Sequence, residues 1–381
     1  MMKIAIVLPC YNRLNTLIEL CQSLRRADYL GDKVDLIFSI DYSGSQDVTE
    51  YAKSFEWPFG DKRIIAHPKN IGLKNNILSC GDLTSEYDAV IVLEDDLEVT
   101  PSFYRFAKQA AMFYDDCQAI GGISIYAYRM EEITHTEFHP YYEGYDCYLL
   151  QWASSWGQLW TRKQWKAFRE WYSDDKDISH LHLPEALRRW VNSWKKYYIA
   201  YLVENDKYFV FPFFSHVYNG NKAPGEHYKE RVGEVLTSST LDFSKRDYHF
   251  IPYSEVIHKY DVFFQHKPIE LNVNGQLLEC EFDLFGHKCQ VDSPYIITSK
   301  DCSKAKVIKS FDAGMLPLEE NILTGKEGQI LHLISKNDFQ YTSIIPPSSY
   351  FAIRKRSLCV RDTFQICFIQ FIQGVKRKIL R

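Results

Sequence analysis

The chain has 381 residues, 46% of them hydrophobic, and a formal net charge of −4. That much apolar material excludes a disordered chain, and the length allows one large domain plus a smaller one. The slightly acidic balance gives no basis for a nucleic-acid partner, and no apolar stretch approaches the roughly 20 residues of a spanning helix.

From the N-terminus, Lys3–Leu8 reads as a first strand that starts too early for a signal peptide to precede it. The ten cysteines are scattered without a Cys-x-x-Cys pair, so reduced thiols in a cytoplasmic protein are expected. Pro9-Cys10-Tyr11-Asn12-Arg13 forms a turn, and Leu14, Leu17, Ile18, Cys21 and Leu24 recur at helical spacing. Val34–Ile40 is a second strand ending at Asp41, and a further helix leads to a short strand at Arg63–Ala66. Asn70–Asn76 opens the helix before a fourth strand. Strands separated by helices predict an α/β fold with a mainly parallel sheet flanked by helices.

The fourth strand, Ala89-Val-Ile-Val-Leu93, runs into Glu94, Asp95 and Asp96. Three acids closing a buried strand repel one another and call for a counter-charge. Oxygen ligands suit Mg²⁺ or Mn²⁺; the other reading is a solvated acidic turn. Pro9, Asp41 and the acids all fall at carboxyl ends of predicted parallel strands, the edge where open α/β sheets bind nucleotides. The first turn has neither Gly-x-Gly-x-x-Gly nor a phosphate loop ending in Gly-Lys-Ser/Thr. That excludes a dinucleotide dehydrogenase and a phosphate-loop ATPase as first readings.

Taken together, Pro9–Arg13, Ser39-Ile40-Asp41 and Leu93–Phe103 resemble a GT-A glycosyltransferase. The acidic run with Leu97-Glu98-Val99-Thr100-Pro101 is similar to the Golgi N-acetylglucosaminyltransferase that begins complex N-glycans. Trp152-Ala-Ser-Ser-Trp156-Gly-Gln-Leu-Trp160, with Trp165, resembles glycosyltransferases of bacterial surface polysaccharide synthesis. The resemblance covers roughly the first 230 residues, the size of one α/β unit.

It implies a UDP-sugar donor, Mn²⁺ or Mg²⁺ as cofactor, and inverting transfer of a hexosyl or N-acetylhexosaminyl group to a glycan or lipid-linked acceptor. Pro9, Tyr11 and Arg13 would contact the nucleotide sugar, Arg13 at its phosphates. Asp41 would accept from the uracil. Lys74 would approach the donor, and Glu94 and Asp95 would meet the donor sugar or ribose, or hold water on the metal. Asp96 would be the direct metal ligand. His227, in the loop after the strand-like Tyr208–Pro212, is the choice for a second metal-side group, with His216 after it. The resemblance places a base carboxylate after a Trp, where this chain reads Ser193-Trp194-Lys195-Lys196. Lysine is protonated at neutral pH, so Asp175 and Glu185 are the candidate bases, or the mechanism differs. The Trp152–Trp165 segment is expected to shape the acceptor and donor-sugar pocket. A sugar-nucleotide nucleotidyltransferase and a silent donor-binding module are the alternatives.

The βα rhythm fades from about Tyr253. The expected division is a transferase domain over 1–240, a small β-rich appendage over 250–345 and a terminal helix over 360–381. Pro268–Val273 and Pro317–Ile322 share Pro, Glu and Asn at equal spacing, a faint duplication signal. Phe364, Phe368, Phe371, Ile372, Val375, Ile379 and Leu380 share a helical face beside Lys376, Arg377, Lys378 and Arg381. That pattern suits either docking on the protein's own surface or peripheral binding to an anionic inner membrane face.

Overall fold

In the first strand, β1 (Ile4–Cys10), every position is buried, so both its faces are covered. The computed structural model describes residues 2–219, 240–354, 364, 367 and 368. After β1 come α1 (Leu14–Arg25), β2 (Asp35–Ile40), α2 (Asp47–Ser54), β3 (Lys62–Ala66), α3 (Gly72–Asp82) and β4 (Ala89–Val92). The chain continues through β5 (Leu97–Val99), α4 (Phe103–Tyr114), β6 (Ile120–Ser124), β7 (Cys147–Leu150) and β8 (Gln158–Thr161). Then follow α5 (Arg162–Trp171), α6 (Glu185–Arg188), α7 (Trp194–Glu204), β9 (Tyr208–Pro212), β10 (Val217–Asn219) and β11 (Lys259–Tyr260).

Nine of these strands form one sheet in the order β11-β7-β9-β6-β8-β4-β1-β2-β3. β1 pairs in parallel with β2 and β4, β2 with β3, and β6 with β9. The sheet is mixed rather than wholly parallel: β8 runs antiparallel to both β4 and β6, and β7 antiparallel to β9. From β1 the chain builds outward through β2 and β3, then returns to place β4 on the other side. The order therefore reverses between β1 and β4, and a crevice opens beyond their carboxyl ends. A separate pair, β5 and β10, sets Asn219 opposite Leu97, the residue after Asp96.

Local chemistry supports these elements. Thr161 and Gln164 close a capping box at the start of α5. Ser193 caps α7 by accepting from the Lys196 N–H. At Gly81 a Cβ would sit 2.2 Å from the Trp165 ring, so α3 can meet that indole only with glycine there. Trp152 and Trp160 are fully buried in the core. The Trp152–Trp165 segment is a loop, the strand β8 and the first residues of α5, not one helix start.

The chain divides after Lys267 into two compact units. Residues 250–267 thus fall in the first unit, where β11 pairs with β7, and not in the appendage expected from 250. The second unit holds β12 (Ile269–Val273), β13 (Gln276–Asp283), β14 (Tyr295–Thr298), β15 (Val307–Phe311), α8 (Glu320–Leu323), β16 (Leu331–Ser335) and α9 (Pro347–Arg354). Its sheet runs β12-β13-β14-β16-β15 around a small apolar core that includes Phe282, Ile297, Phe311 and Leu331. The duplication suggested by Pro268–Val273 and Pro317–Ile322 is not reproduced: the first becomes β12, the second leads into α8. Shared residue spacing did not survive different packing.

Among the described residues no helix is long and apolar enough to cross a membrane. The described cysteines are all free thiols. Phe364 and Phe368 are exposed helical residues; Phe371 onward, with the basic residues that close the expected terminal helix, lies outside the described residues.

Candidate functional site

A cleft of about 1780 Å³ opens in the first unit, and Arg13, after β1, and Glu94, Asp95 and Asp96, after β4, line it. That exceeds the roughly 300–1,000 Å³ of ordinary small-molecule pockets, and leaves room for a substrate of two parts. The turn after β1 and the acids after β4 meet because their strands are neighbours. Arg13 Nη1 donates to Asp96 Oδ2 at 2.8 Å, and Nη2 pairs with Asp95. The Tyr11 N–H also bonds Asp95.

The electrostatics follow from crowding acids in little water. Burial, together with the charge of Asp96 and against the pull of Arg13, pushes the Glu94 carboxyl up to about 8. Asp95 is raised to about 6, again first by burial, with Arg13 opposing. Burial also works against the Arg13 charge, but Asp95 and Asp96 outweigh it and hold the guanidinium firmly protonated. Asp96 Oδ1 is buried and has no hydrogen-bond partner among the described residues. A buried acceptor without a donor is costly, and an oxygen-seeking cation would satisfy it.

Asp41 is 4% exposed and closes the gap between β2 and α3. Its Oδ1 accepts from the N–H groups of Tyr42 and Ile71 at 2.9 and 2.8 Å, and its Oδ2 from Gly72 N–H at 2.9 Å. Gly72 has φ +78°, which favours glycine and turns its N–H to the carboxylate. Asp41 thus anchors the N-terminus of α3, whose first N–H groups have no partner in the helix. Three of about four acceptor positions are used, so one remains on Oδ2. Asn76 exchanges hydrogen bonds with Ser39, fixing the same helix to β2.

The structure brings together in this cleft Pro9, Tyr11, Arg13, Asp41, Lys74, Glu94, Asp95 and Asp96. Lys74 is tied to Asp174 at 2.7 Å. Of the pocket segment, Ser155 and Trp156 line the cleft, whereas Trp160 and Trp165 pack against each other in the core. Asp175 and Glu185 are not brought there: Asp175 is exposed in the loop after α5, and Glu185 is an exposed acid paired with Arg189 on its own helix. His216 is buried away from the cleft, stacked on Phe106 at 4.7 Å. His227 lies outside the described residues. Among the described residues no group of three or more His, Cys, Asp or Glu side chains forms a metal site.

Three cleft acids went unnoticed in the sequence, Glu131, Glu132 and Glu137. They follow β6, which runs in the same direction as β4 because both lie antiparallel to β8. Glu131 and Glu132 lie seven and eight residues past Ser124, the end of β6, so the rule that singled out Glu94–Asp96, acids just beyond a strand's carboxyl end, does not reach them. Glu131 is spent locally on the N–H groups of Ile133 and Thr134. Glu132 binds Lys195 Nζ, its two oxygens at 2.7 and 2.5 Å.

Residues 5–189 match the Glycosyl transferase family 2 profile. Among solved structures, S. aureus TarS 1-349 aligns at 15% identity over 58% of this chain and 61% of that one, with a TM-score of 0.37. The same protein in complex with UDP-GlcNAc aligns at 16% identity over 61% and 62%, with a TM-score of 0.40. The mannosyltransferase PcManGT from Pyrobaculum calidifontis, in complex with GDP-Man and Mn²⁺, aligns at 15% identity over 32% of this chain and 35% of that one, with a TM-score of 0.26. The chain spans about three fifths of the TarS 1-349 structures it matches. No curated protein matches it.

Proposed function

We propose, from the match of residues 5–189 to the Glycosyl transferase family 2 profile, that the cleft binds a UDP-sugar and transfers its sugar with inversion. The acceptor we assign is a glycan or lipid-linked saccharide of bacterial surface polysaccharide synthesis, following the motif resemblance. The observation that carries this reading is the contact of Arg13 with Asp95 and Asp96 where the strand order reverses.

Each residue has a task set by its chemistry. Asp41, with an acceptor position left on Oδ2, takes a hydrogen bond from the uracil N–H. Arg13 offers a fixed cation to the diphosphate. Lys74, beside the start of α3, adds a second positive charge. Glu94 and Asp95 meet hydroxyls of the ribose or donor sugar, as do Pro9 and Tyr11 by contact. Asp96, whose Oδ1 lacks a partner among the described residues, would hold Mn²⁺ or Mg²⁺ together with donor oxygens; such a cation stabilises a leaving diphosphate by several kcal/mol as a Lewis acid.

The test is to incubate the chain with UDP-, GDP- and TDP-sugars, with Mn²⁺, Mg²⁺ or EDTA, and to identify the products. Release of UDP from a UDP-sugar, dependent on the metal, is expected. Pyrophosphate would instead mean nucleotidyl transfer, and donor binding without turnover a binding module.

A further inference from the structure

We propose that Glu132 is the base that takes the proton from the attacking acceptor hydroxyl, and that Lys195 is the residue that positions it. This rests on the transferase reading above. Inverting transfer needs a carboxylate near the reacting hydroxyl, and the two acids chosen from the sequence lie elsewhere.

Glu132 is presented by the turn after β6 and lines the cleft. Its side chain is 19% exposed, whereas that of Lys195 is 6% exposed. The carboxylate is therefore the more accessible of the pair, although both residues line the cleft. Oε2 is saturated: it accepts from Tyr128 Oη at 2.6 Å, Trp152 Nε1 at 2.9 Å and Lys195 Nζ at 2.5 Å. Among the described residues Oε1 accepts only from Lys195, at 2.7 Å. The three donors fix the orientation of the carboxylate and leave Oε1 with an unused acceptor position. Lys195 is enclosed by indoles, 5.5 Å from the Trp152 ring and 5.8 Å from that of Trp190. Trp190 also lines the cleft.

The other acids of the cleft are occupied or placed on the donor side. Glu131 binds its own turn, Glu137 is exposed beside His139, and Glu94, Asp95 and Asp96 belong to the Arg13 cluster. Burial pushes the Glu132 carboxyl up, but the Lys195 charge and the hydrogen bonds of Lys195, Tyr128 and Trp152 outweigh it and hold it below the usual range. Glu132 is then ionised at neutral pH. In the step, the acceptor oxygen forms a bond to the anomeric carbon as the bond from that carbon to the phosphate oxygen breaks. The electron pair leaves on the diphosphate, and the acceptor proton passes to Glu132 Oε1.

The test uses the full chain, whichever of UDP-glucose, UDP-galactose and UDP-N-acetylglucosamine the wild type turns over, and n-octyl glycosides as acceptors. Glu132→Gln should lower kcat for transfer about a hundredfold or more and leave UDP binding in Mn²⁺ unchanged. Azide ion carries no proton, so formation of the glycosyl azide should survive in Glu132→Gln. Lys195→Met should move the acidic limb of the pH–rate profile upward, because the charge that opposes protonation is gone; Lys195→Arg should restore it. The titratable groups that face this pair are Tyr128, Glu131 and Glu94; the Lys195 charge also lowers Glu94, so the limb belongs to Glu132 only if it disappears in Lys195→Met with Glu132→Gln. Retained transfer in Glu132→Gln, or equal loss of glycoside and azide transfer, overturns the proposal. A wild type that binds no nucleotide sugar overturns the transferase reading instead.

Discussion

Arg13 Nη1 lies 2.8 Å from Asp96 Oδ2, a contact between residues 83 positions apart that joins the turn after β1 to the acids after β4. It holds a cation against an acid whose second oxygen, Oδ1, has no partner among the described residues. Asp96→Ala should abolish metal-dependent donor binding while the fold persists. UDP with Mn²⁺ at about 100 times its Kd should stabilise the wild type by about 2.7 kcal/mol. The same additions should not shift the melting temperature of Asp96→Ala, nor of the wild type in EDTA. An unchanged shift in both would place the cation elsewhere.

Asp41 both anchors α3 and, in the proposed reading, selects uracil. Asp41→Ala should weaken UDP binding by about 1–3 kcal/mol, the cost of leaving a buried polar group unpaired. Calorimetry with UDP and GDP checks this: equal affinity of the wild type for both would remove the selection role and leave Asp41 as an anchor alone.

His216 predicts a pH dependence of stability. Burial, with Arg246 adding to it and Asp242 and Asp146 opposing, lowers its pKa to about 4. Ser102, Phe106 and Tyr248 complete its surroundings. An unfolded histidine takes its proton near pH 6.5. The stabilisation is therefore whole above about pH 6.5 and is lost as pH falls toward 4, by on the order of 2–3 kcal/mol. Urea unfolding of the wild type and His216→Gln should show a difference that shrinks between pH 7 and pH 5. A difference constant over that range would contradict the buried neutral imidazole.

In the second unit, Lys288 and Glu281 form an ion pair at 2.8 Å, with side chains 2% and 7% exposed. Lys288→Met leaves a buried carboxylate unpaired and should destabilise that unit by about 3–5 kcal/mol, whereas Lys288→Met with Glu281→Leu should recover most of it. Hydrogen exchange in β13 reads the effect locally. A single variant as stable as the double would show that water reaches Glu281.

The strands that lead into the site were legible because β1 and β4 are continuous apolar runs and β2 is one broken only by Asp35 and Ser39, and such runs signal a buried strand without any knowledge of its neighbours. Asp41 and Glu94–Asp96 were legible for the same reason, since they stand where those runs stop. β6 and β8 were not: Ile120–Ser124 contains two glycines and Gln158–Thr161 is short and half polar. Their strand character comes from pairing, β8 lying between β4 and β6. The antiparallel insertion and the end of the first unit at Lys267 were hidden with them.

By itself, the sequence determined the α/β class and the acid-tipped fourth strand, because each depends on the local order of apolar and charged groups; the donor-side roles follow from the motif resemblance and belong to the proposed reading. Only the tertiary structure decided how those charges are partnered. Glu132 and Lys195 are 63 residues apart, and neither spacing nor composition marks them as a pair. They meet because the turn after β6 and the start of α7 come together, and a carboxylate's hydrogen bonds and proton affinity depend on what surrounds it in space.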